Sequence, residues 1–380
     1  MSKQDTLPTD DQYALVAAAV EEIDAPVLPY APAIIDRDVR IALIGCGGIA
    51  STHLAAYQSR GWKVVAFCDI DKNRAQARAD QFFPDAFVTD NPEEIFALDG
   101  LDAIDIATHT RHRPPLLRRA IECGHHVLSQ KPFVTDIHVG EELIALAEEK
   151  GVMLCVNQNG RFAPHFSYIR ELVTSGTLGT ITGIHTQIHW NHTWIAGTPF
   201  AQMRDIILYD FAIHWFDFVA SLLPIDADVT VTAFRGAPRV DLALPALEAT
   251  AVVEWPGGRA TVSFDAGCLY GSGDSTTVIG TDGSVTSTGP DGGTQEVTLN
   301  LAAGRAKPDL IGKWFNDGFA GTMAELLDAS THGRKARNDA EGNLRSLMLC
   351  FAAIESADTG KPVQVGTVMR LPAGAIPENA

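Results

Sequence analysis

Val39–Ala50 reads VRIALIGCGGIA. Apart from Arg40, the run from Val39 to Ile44 is apolar and lacks polar alternation, as a strand buried on both faces of a parallel sheet requires. It breaks on Gly45-Cys46-Gly47-Gly48-Ile49-Ala50, a GxGxxA turn that opens a helix. Gly45 permits the tight turn, Gly47 lets the backbone approach a pyrophosphate, and small Ala50 lets helix and strand pack closely. From Gly48 and Ile49 onward the helix start offers free N–H groups and a positive dipole end to phosphate. The next strand, KVVAFCD, ends on Asp69 about 24 residues after Gly45, near the spacing of an acidic ribose binder. A carboxylate there accepts hydrogen bonds from both ribose hydroxyls and repels a 2′-phosphate, which favours NAD over NADP. Asp71 is the alternative binder, or a helix cap.

Outward from this stretch the pattern repeats. Strand-like LDAIDIAT, HHVLSQ and VMLCVNQ alternate with helical Ile49–Arg60, Lys72–Phe82, Pro114–Cys123 and Val139–Lys150. Strand, helix, strand at this spacing reads as a doubly wound α/β Rossmann domain. Asn91-Pro92-Glu93-Glu94 is a helix start, with a capping side chain, an early proline and carboxylates at the positive dipole end. After about residue 178 the texture changes. TITGIHTQIHW, ADVTVTAF, EATAVVEW, RATVSFDA, STTVIGT and GSVTST, divided by Gly, Pro and Asp turns, read as a large, mostly antiparallel open sheet. Helices return at Gly321–Ser330 and Ala340–Thr359. The expected division is an N-terminal arm at 1–38, an NAD-binding Rossmann domain at 39–158, and an α+β domain for substrate binding and oligomerisation at 159–380, with the site between the last two. In the arm, Ala14–Ile23 fits one short helix, which Pro26, Pro29 and Pro32 break.

The net charge of −18 argues against nucleic acid and against an anionic membrane surface, since both need a basic face. No run of 18 apolar residues suits a membrane span. Met1–Pro32 carries Asp5, Asp10, Asp11, Glu21 and Glu22 and has no basic segment before an apolar core, so a cytoplasmic location is expected. Six cysteines are scattered without a CxxC pair and read as buried free thiols.

Oxidising an alcohol by hydride transfer needs a group that takes the hydroxyl proton and neighbours that orient the substrate. Lys131, in Ser129-Gln130-Lys131-Pro132, ends a strand of the parallel sheet, where ligands bind; the bland alternative is a solvated lysine. Asp210 and His214, in LYDFAIHWFD, share a helical face at i, i+4 spacing, as a lined cavity or as a satisfied core pair. Asp217 is one step off that face and structural.

These motifs together resemble the GFO/IDH/MocA oxidoreductases, the family of glucose–fructose oxidoreductase and inositol dehydrogenase. The resemblance runs from about Val39 to about Val365. It rests on GCGGIA, the QKP tripeptide, Asn159-Gly160-Arg161-Phe162, DxxxH and AIESADTGKPV. It implies that Lys131, Asp210 and His214 surround the reacting carbinol of a carbohydrate-like substrate beside the nicotinamide. His214 is then the general acid/base, Lys131 the hydrogen-bond donor to the reacting oxygen, and Asp210 the orienting group. It also implies a homodimer or homotetramer built through the large sheet. Thr108, His109 and Gln130 fall on the cofactor side, with Gln130 where many members have glutamate and His109 where the family has proline, as a contact near the nicotinamide and substrate or as a plain loop residue. A neutral amide at 130 removes a counter-charge near Lys131. Arg161 suits substrate or the nicotinamide end. His192 and Trp194 pair a hydrogen-bonding ring with an aromatic face, as a sugar ring requires. Asp205-Ile206-Ile207-Leu208-Tyr209 stands where many members carry a run of glycines, which would reshape the pocket.

Two competing readings remain. A metal-dependent hydrolase or lyase would use His185, His189, Asp210 and His214, although no HExxH supports it and no metal is expected. A non-catalytic NAD-binding regulator would keep the fold without the chemistry.

Overall fold

The structure, a computed structural model, describes residues 20–372 and 374–376. The apolar runs form a six-stranded parallel sheet from β1 (Arg40–Ile44), β2 (Lys63–Cys68), β3 (Phe87–Thr89), β4 (Ala103–Ile106), β5 (Val127–Gln130) and β6 (Leu154–Asn157). Its order is β3-β2-β1-β4-β5-β6. The order reverses between β1 and β4, which opens a crevice beyond their carboxyl ends. Helices Ala50–Ser59, Lys72–Phe82, Arg113–Glu122 and Ile137–Lys150 cover the faces, close to the expected bounds. Asn91 caps a short helix, Pro92–Phe96, by accepting from the Glu93 N–H at 3.1 Å.

The second sheet has nine strands: β7 (Ile181–His189), β8 (Thr230–Arg235), β9 (Glu248–Trp255), β10 (Gly258–Asp265), β11 (Gly273–Gly280), β12 (Gly283–Asp291), β13 (Thr294–Leu301), β14 (Gly304–Ala306) and β15 (Val363–Gln364). The order is β14-β13-β12-β11-β7-β10-β9-β8-β15. Only β7 and β10 run parallel; every other pair is antiparallel, matching the alternation in these segments. Ile184, Thr186 and Ile188 of β7 face the core beside Ala260, Val262 and Phe264 of β10, and helix Ile213–Leu222 packs there.

Two features cross the boundary between the sheets. Phe319, Met323 and Leu327, on helix Phe319–His332, pack in one core with Leu43, Leu54 and Tyr57, so a C-terminal segment covers one face of the Rossmann sheet. The arm follows the opposite course. Glu22 bridges Arg305, Ser167 Oγ donates to the Tyr30 carbonyl, and Ile35 packs in the Rossmann core. Of the short helix expected at Ala14–Ile23, residues 14–19 lie outside the described residues. Val20–Ile23 are extended instead, because the Ile23 N–H donates to the Arg305 carbonyl and the Arg305 N–H to the Glu21 carbonyl along the sheet edge.

Candidate active site

The glycine turn is built for close approach. Gly45 has φ +97°, and a Cβ on it would lie 2.8 Å from Ala107 C and Thr108 N. Nothing lies within 4 Å of a Cβ placed on Gly47 or Gly48, so the turn opens onto space at the start of helix Ala50–Ser59. No side chain caps that helix start, which leaves its N–H groups free for phosphate. Asp69, buried at the end of β2, accepts from the Cys46 N–H at 2.8 Å and the Asp71 N–H at 2.9 Å. Its oxygens keep lone pairs for ribose hydroxyls. Asp71 caps helix Lys72–Phe82 through the Asn73 N–H. Beside the turn, Thr108 Oγ1 and His109 Nδ1 are buried without a partner among the described residues. An open glycine cradle, a strand-end carboxylate and orphaned polar atoms beside them fit NAD.

Lys131 follows β5 directly, and the Lys131–Pro132 peptide is cis. Its Nζ reaches out of the Rossmann domain to Asp210, donating to the carbonyl at 2.9 Å and to Oδ2 at 3.1 Å. Arg113 holds this loop from behind. It is fully buried, and its guanidinium donates to the carbonyls of Thr108 (2.8 Å), Pro132 (2.5 Å) and Gln130. One side chain thereby ties the ends of β4 and β5 together. With no carboxylate in contact, burial pulls the Arg113 guanidinium down to about 10.

Asp210 sits in a π-helical turn, Ile207–Phe211, closed by the Ala212 N–H on the Ile207 carbonyl at 2.7 Å. The α-helix carrying His214 starts only at Ile213. The widened turn gives the two residues different partners: Asp210 pairs with Lys131, whereas His214 Nδ1 lies 3.2 Å from Gln158 Nε2. The Gln158 amide also donates to the Ile213 carbonyl, so its NH2 faces this way and Nδ1 accepts. The proton of the neutral ring is then on Nε2. Burial, with Lys131 adding to it, holds His214 well below the usual imidazole range. Two more imidazoles flank Asp210. Burial pulls His192 down to about 4, against Asp210 and with Lys131. Burial and Arg113 also lower His109. His192 stacks on Trp190 (ring centroids 5.6 Å) and sits 4.3 Å from Phe211, while Trp194 is 57% exposed beside it. The site thus holds one lysine–aspartate pair among imidazoles kept neutral.

Three expectations change. Arg161 is not free for substrate or cofactor: it pairs with buried Asp217 at 2.8 Å and donates to the Arg337 carbonyl. Gln130, expected on the cofactor side, has both ends of its amide engaged by protein groups. Its side chain is buried, with Oε1 accepting the Lys131 N–H at 2.6 Å and Nε2 at 3.0 Å from His53 Nε2. Nor is it a missing counter-charge for the amine, because Asp210 fills that role. His185 and His189 leave the proposed metal cluster. They point to the outer face of β7, where His185 bonds Thr261, while Asp210 and His214 lie over the inner face. Gln158, Arg113 and Trp314 escaped the sequence reading. Trp314 arrives from the far end of the chain, bonds Asn159 Oδ1 at 2.7 Å and sets its ring edge-on to His214 at 5.2 Å. No local pattern marks such a partner.

The family described as "Oxidoreductase family, NAD-binding Rossmann fold" (GFO/IDH/MocA) matches residues 39–158, and that family's C-terminal domain matches residues 166–286. The D-apiose dehydrogenase of Rhizobium rhizogenes is 25% identical over 349 residues, which cover 87% of this chain and 99% of that protein. The D-apiose dehydrogenase of Paraburkholderia graminis is 30% identical over 191 residues, and the match spans 50% of each chain. Among solved structures, an oxidoreductase from Agrobacterium radiobacter in complex with NAD+, L-tartaric acid and magnesium shares the fold, with a TM-score of 0.76 at 22% identity over 87% of this chain and 99% of that one. Both halves of the chain therefore match a single family, and the chain belongs to the GFO/IDH/MocA oxidoreductases, with an NAD-binding Rossmann domain ahead of its large sheet.

Proposed function

We propose that this oxidoreductase interconverts a hydroxyl and a ketone on an uncharged sugar, cyclitol or glycoside. The observation that carries the proposal is the reach of Lys131 from the carboxyl end of β5, the same edge of the sheet as the glycine turn after β1, to Asp210 in the other half of the molecule. NAD, when bound, supplies the hydride acceptor or donor. In the reduction direction the Lys131 ammonium hands its proton to the reacting oxygen, and in oxidation the free amine takes it back. Asp210 aims the amine. His214, expected as the acid/base, instead has its proton on Nε2 and donates a hydrogen bond that stabilises negative charge on the same oxygen, so the proton transfer passes to Lys131. His192 and Trp194 offer the polar edge and aromatic face that a sugar ring fills. Because Lys131 is matched by Asp210 and the imidazoles are neutral, the pocket favours polyols over sugar acids and phosphates.

D-apiose, myo-inositol and methyl glucosides, followed at 340 nm with NAD+ and in reverse with the ketones and NADH, test this. Turnover of at least one is expected, and a flat trace with no oxidised or reduced product across the panel overturns the reading. Lys131→Ala and His214→Ala should each lower kcat by about two orders of magnitude or more. NAD binding should stay near normal, because neither side chain belongs to the glycine cradle. We further propose a cytoplasmic homodimer or homotetramer joined through the outer face of the nine-stranded sheet, where His185, Gln187 and Thr261 are presented. Six unpaired cysteines suit a reducing compartment.

A further inference from the structure

We propose that Gln130 is a positioning residue for Lys131, the last link of a buried chain that runs Asp105–His53–Gln130. The inference rests on the reading of Lys131 as the group at the reacting oxygen. All three side chains are at most 5% exposed. His53, on helix Ala50–Ser59, has Nδ1 2.7 Å from Asp105 Oδ2, and the same oxygen accepts from Tyr57 OH at 2.6 Å. His53 Nε2 lies 3.0 Å from Gln130 Nε2 and 3.0 Å from Asn157 Nδ2. The ring of Phe319 closes the remaining side at 5.0 Å.

The orientation of Gln130 is fixed by a donor that cannot turn round. Oε1 accepts the backbone N–H of Lys131 at 2.6 Å, so the NH2 end faces His53. Nε2 of His53 must then be an acceptor, and the ring proton lies on Nδ1, pointing at Asp105. Every link is a donor meeting an acceptor: the Nδ1–H of His53 to Asp105, the amide of Gln130 to Nε2 of His53, and the N–H of Lys131 to the amide oxygen. The carboxylate at the far end polarises the imidazole and, through it, the amide. Lys131 is thereby held through its own backbone N–H, between the Gln130 and Pro132 carbonyls that Arg113 grips, while Nζ keeps its pairing with Asp210. A carboxylate at position 130 would also accept from Lys131 N–H, but its second oxygen would need a proton on His53 Nε2. Glutamate there demands an imidazolium, whereas glutamine runs the same chain with a neutral ring.

The test has two arms on the NAD-saturated protein. Nitrogen NMR of 15N-histidine-labelled protein at pH 7.5, with His53 assigned by its loss in His53→Ala, should report a neutral ring protonated on Nδ1. An imidazolium or an Nε2–H tautomer overturns the chain. In the second arm, kcat is measured on the panel sugar that the wild type turns over fastest. Gln130→Leu should lower kcat by up to about 10²-fold, as a small misplacement of a reacting group does, with KM and NAD affinity nearly unchanged. Gln130→Glu should keep most of the turnover and convert the His53 signals to imidazolium. Wild-type kcat in Gln130→Leu, with Lys131→Ala inactive, removes the positioning role and leaves the Lys131 reading standing. Wild-type kcat in Lys131→Ala removes that reading itself, whatever the NMR shows.

Discussion

Asp274 lies on the inner face of β11 with both carboxylate oxygens buried and, among the described residues, unpartnered. Burial, with Asp291 behind it, pushes its carboxyl up to about 7. The unfolded chain ionises this group near pH 4, whereas the folded chain keeps it protonated until about 7. Stability is therefore lost as pH rises through that window and levels off above it. Asp274→Asn should raise the melting temperature by a margin that is small at pH 4 and full by pH 7. A constant margin across that range would place the carboxyl in a different ionisation state. Gly45, Asp69 and Lys131 were legible because each is defined by its own backbone position: a turn, a strand end, a strand end before proline. The partners of His53 and His214 were not, since Asp105 and Gln158 meet them only through tertiary contact, and neither was Arg113, which grips the carbonyls either side of Lys131.

At the level of elements, the period of apolar residues decided most of the outcome. Continuous apolar runs became the parallel strands, and alternating ones became the antiparallel sheet. The π-helical turn at Ile207–Phe211 was hidden, because its sequence reads as ordinary helix and only the Ala212–Ile207 bond reveals the extra residue. Such turns gather at functional sites, and this one sends Asp210 to Lys131 and leaves His214 to Gln158. The glycine turn makes a sharper demand. A methyl group at position 45 would sit at φ +97° and 2.8 Å from the backbone of Ala107 and Thr108. Gly45→Ala should push β1 and β4 apart at the crevice and weaken NAD binding by tenfold or more, about 1.4 kcal/mol, on a titration of nucleotide fluorescence. Unchanged affinity would mean that the cradle is not where the pyrophosphate lies.

Across the whole molecule, Asp217 ties separate parts of the second half to one another. Fully buried on helix Ile213–Leu222, it holds Arg161 at 2.8 Å, Arg170 at 3.3 Å and Ser346 Oγ at 2.8 Å. Asp217→Ala strands two largely buried guanidinium groups, and chemical denaturation should register a loss of roughly 3–5 kcal/mol. A loss under about 1 kcal/mol would mean that the arginines find water instead. The two-sheet plan was legible in the sequence; the return of helix Phe319–His332 to the Rossmann sheet was not, since nothing in its amphipathic pattern says which sheet it will meet. That return has a consequence for biosynthesis. β6 ends 166 residues before Met323, which at ~5–20 residues per second is a delay of roughly ten to thirty seconds. Throughout that interval the nascent Rossmann half presents Leu43 of β1 and Leu54 and Tyr57 of helix Ala50–Ser59 without the helix that will complete their core. The Rossmann half is made first but finished nearly last, so a chaperone that shields apolar surface during translation has its natural target on this face.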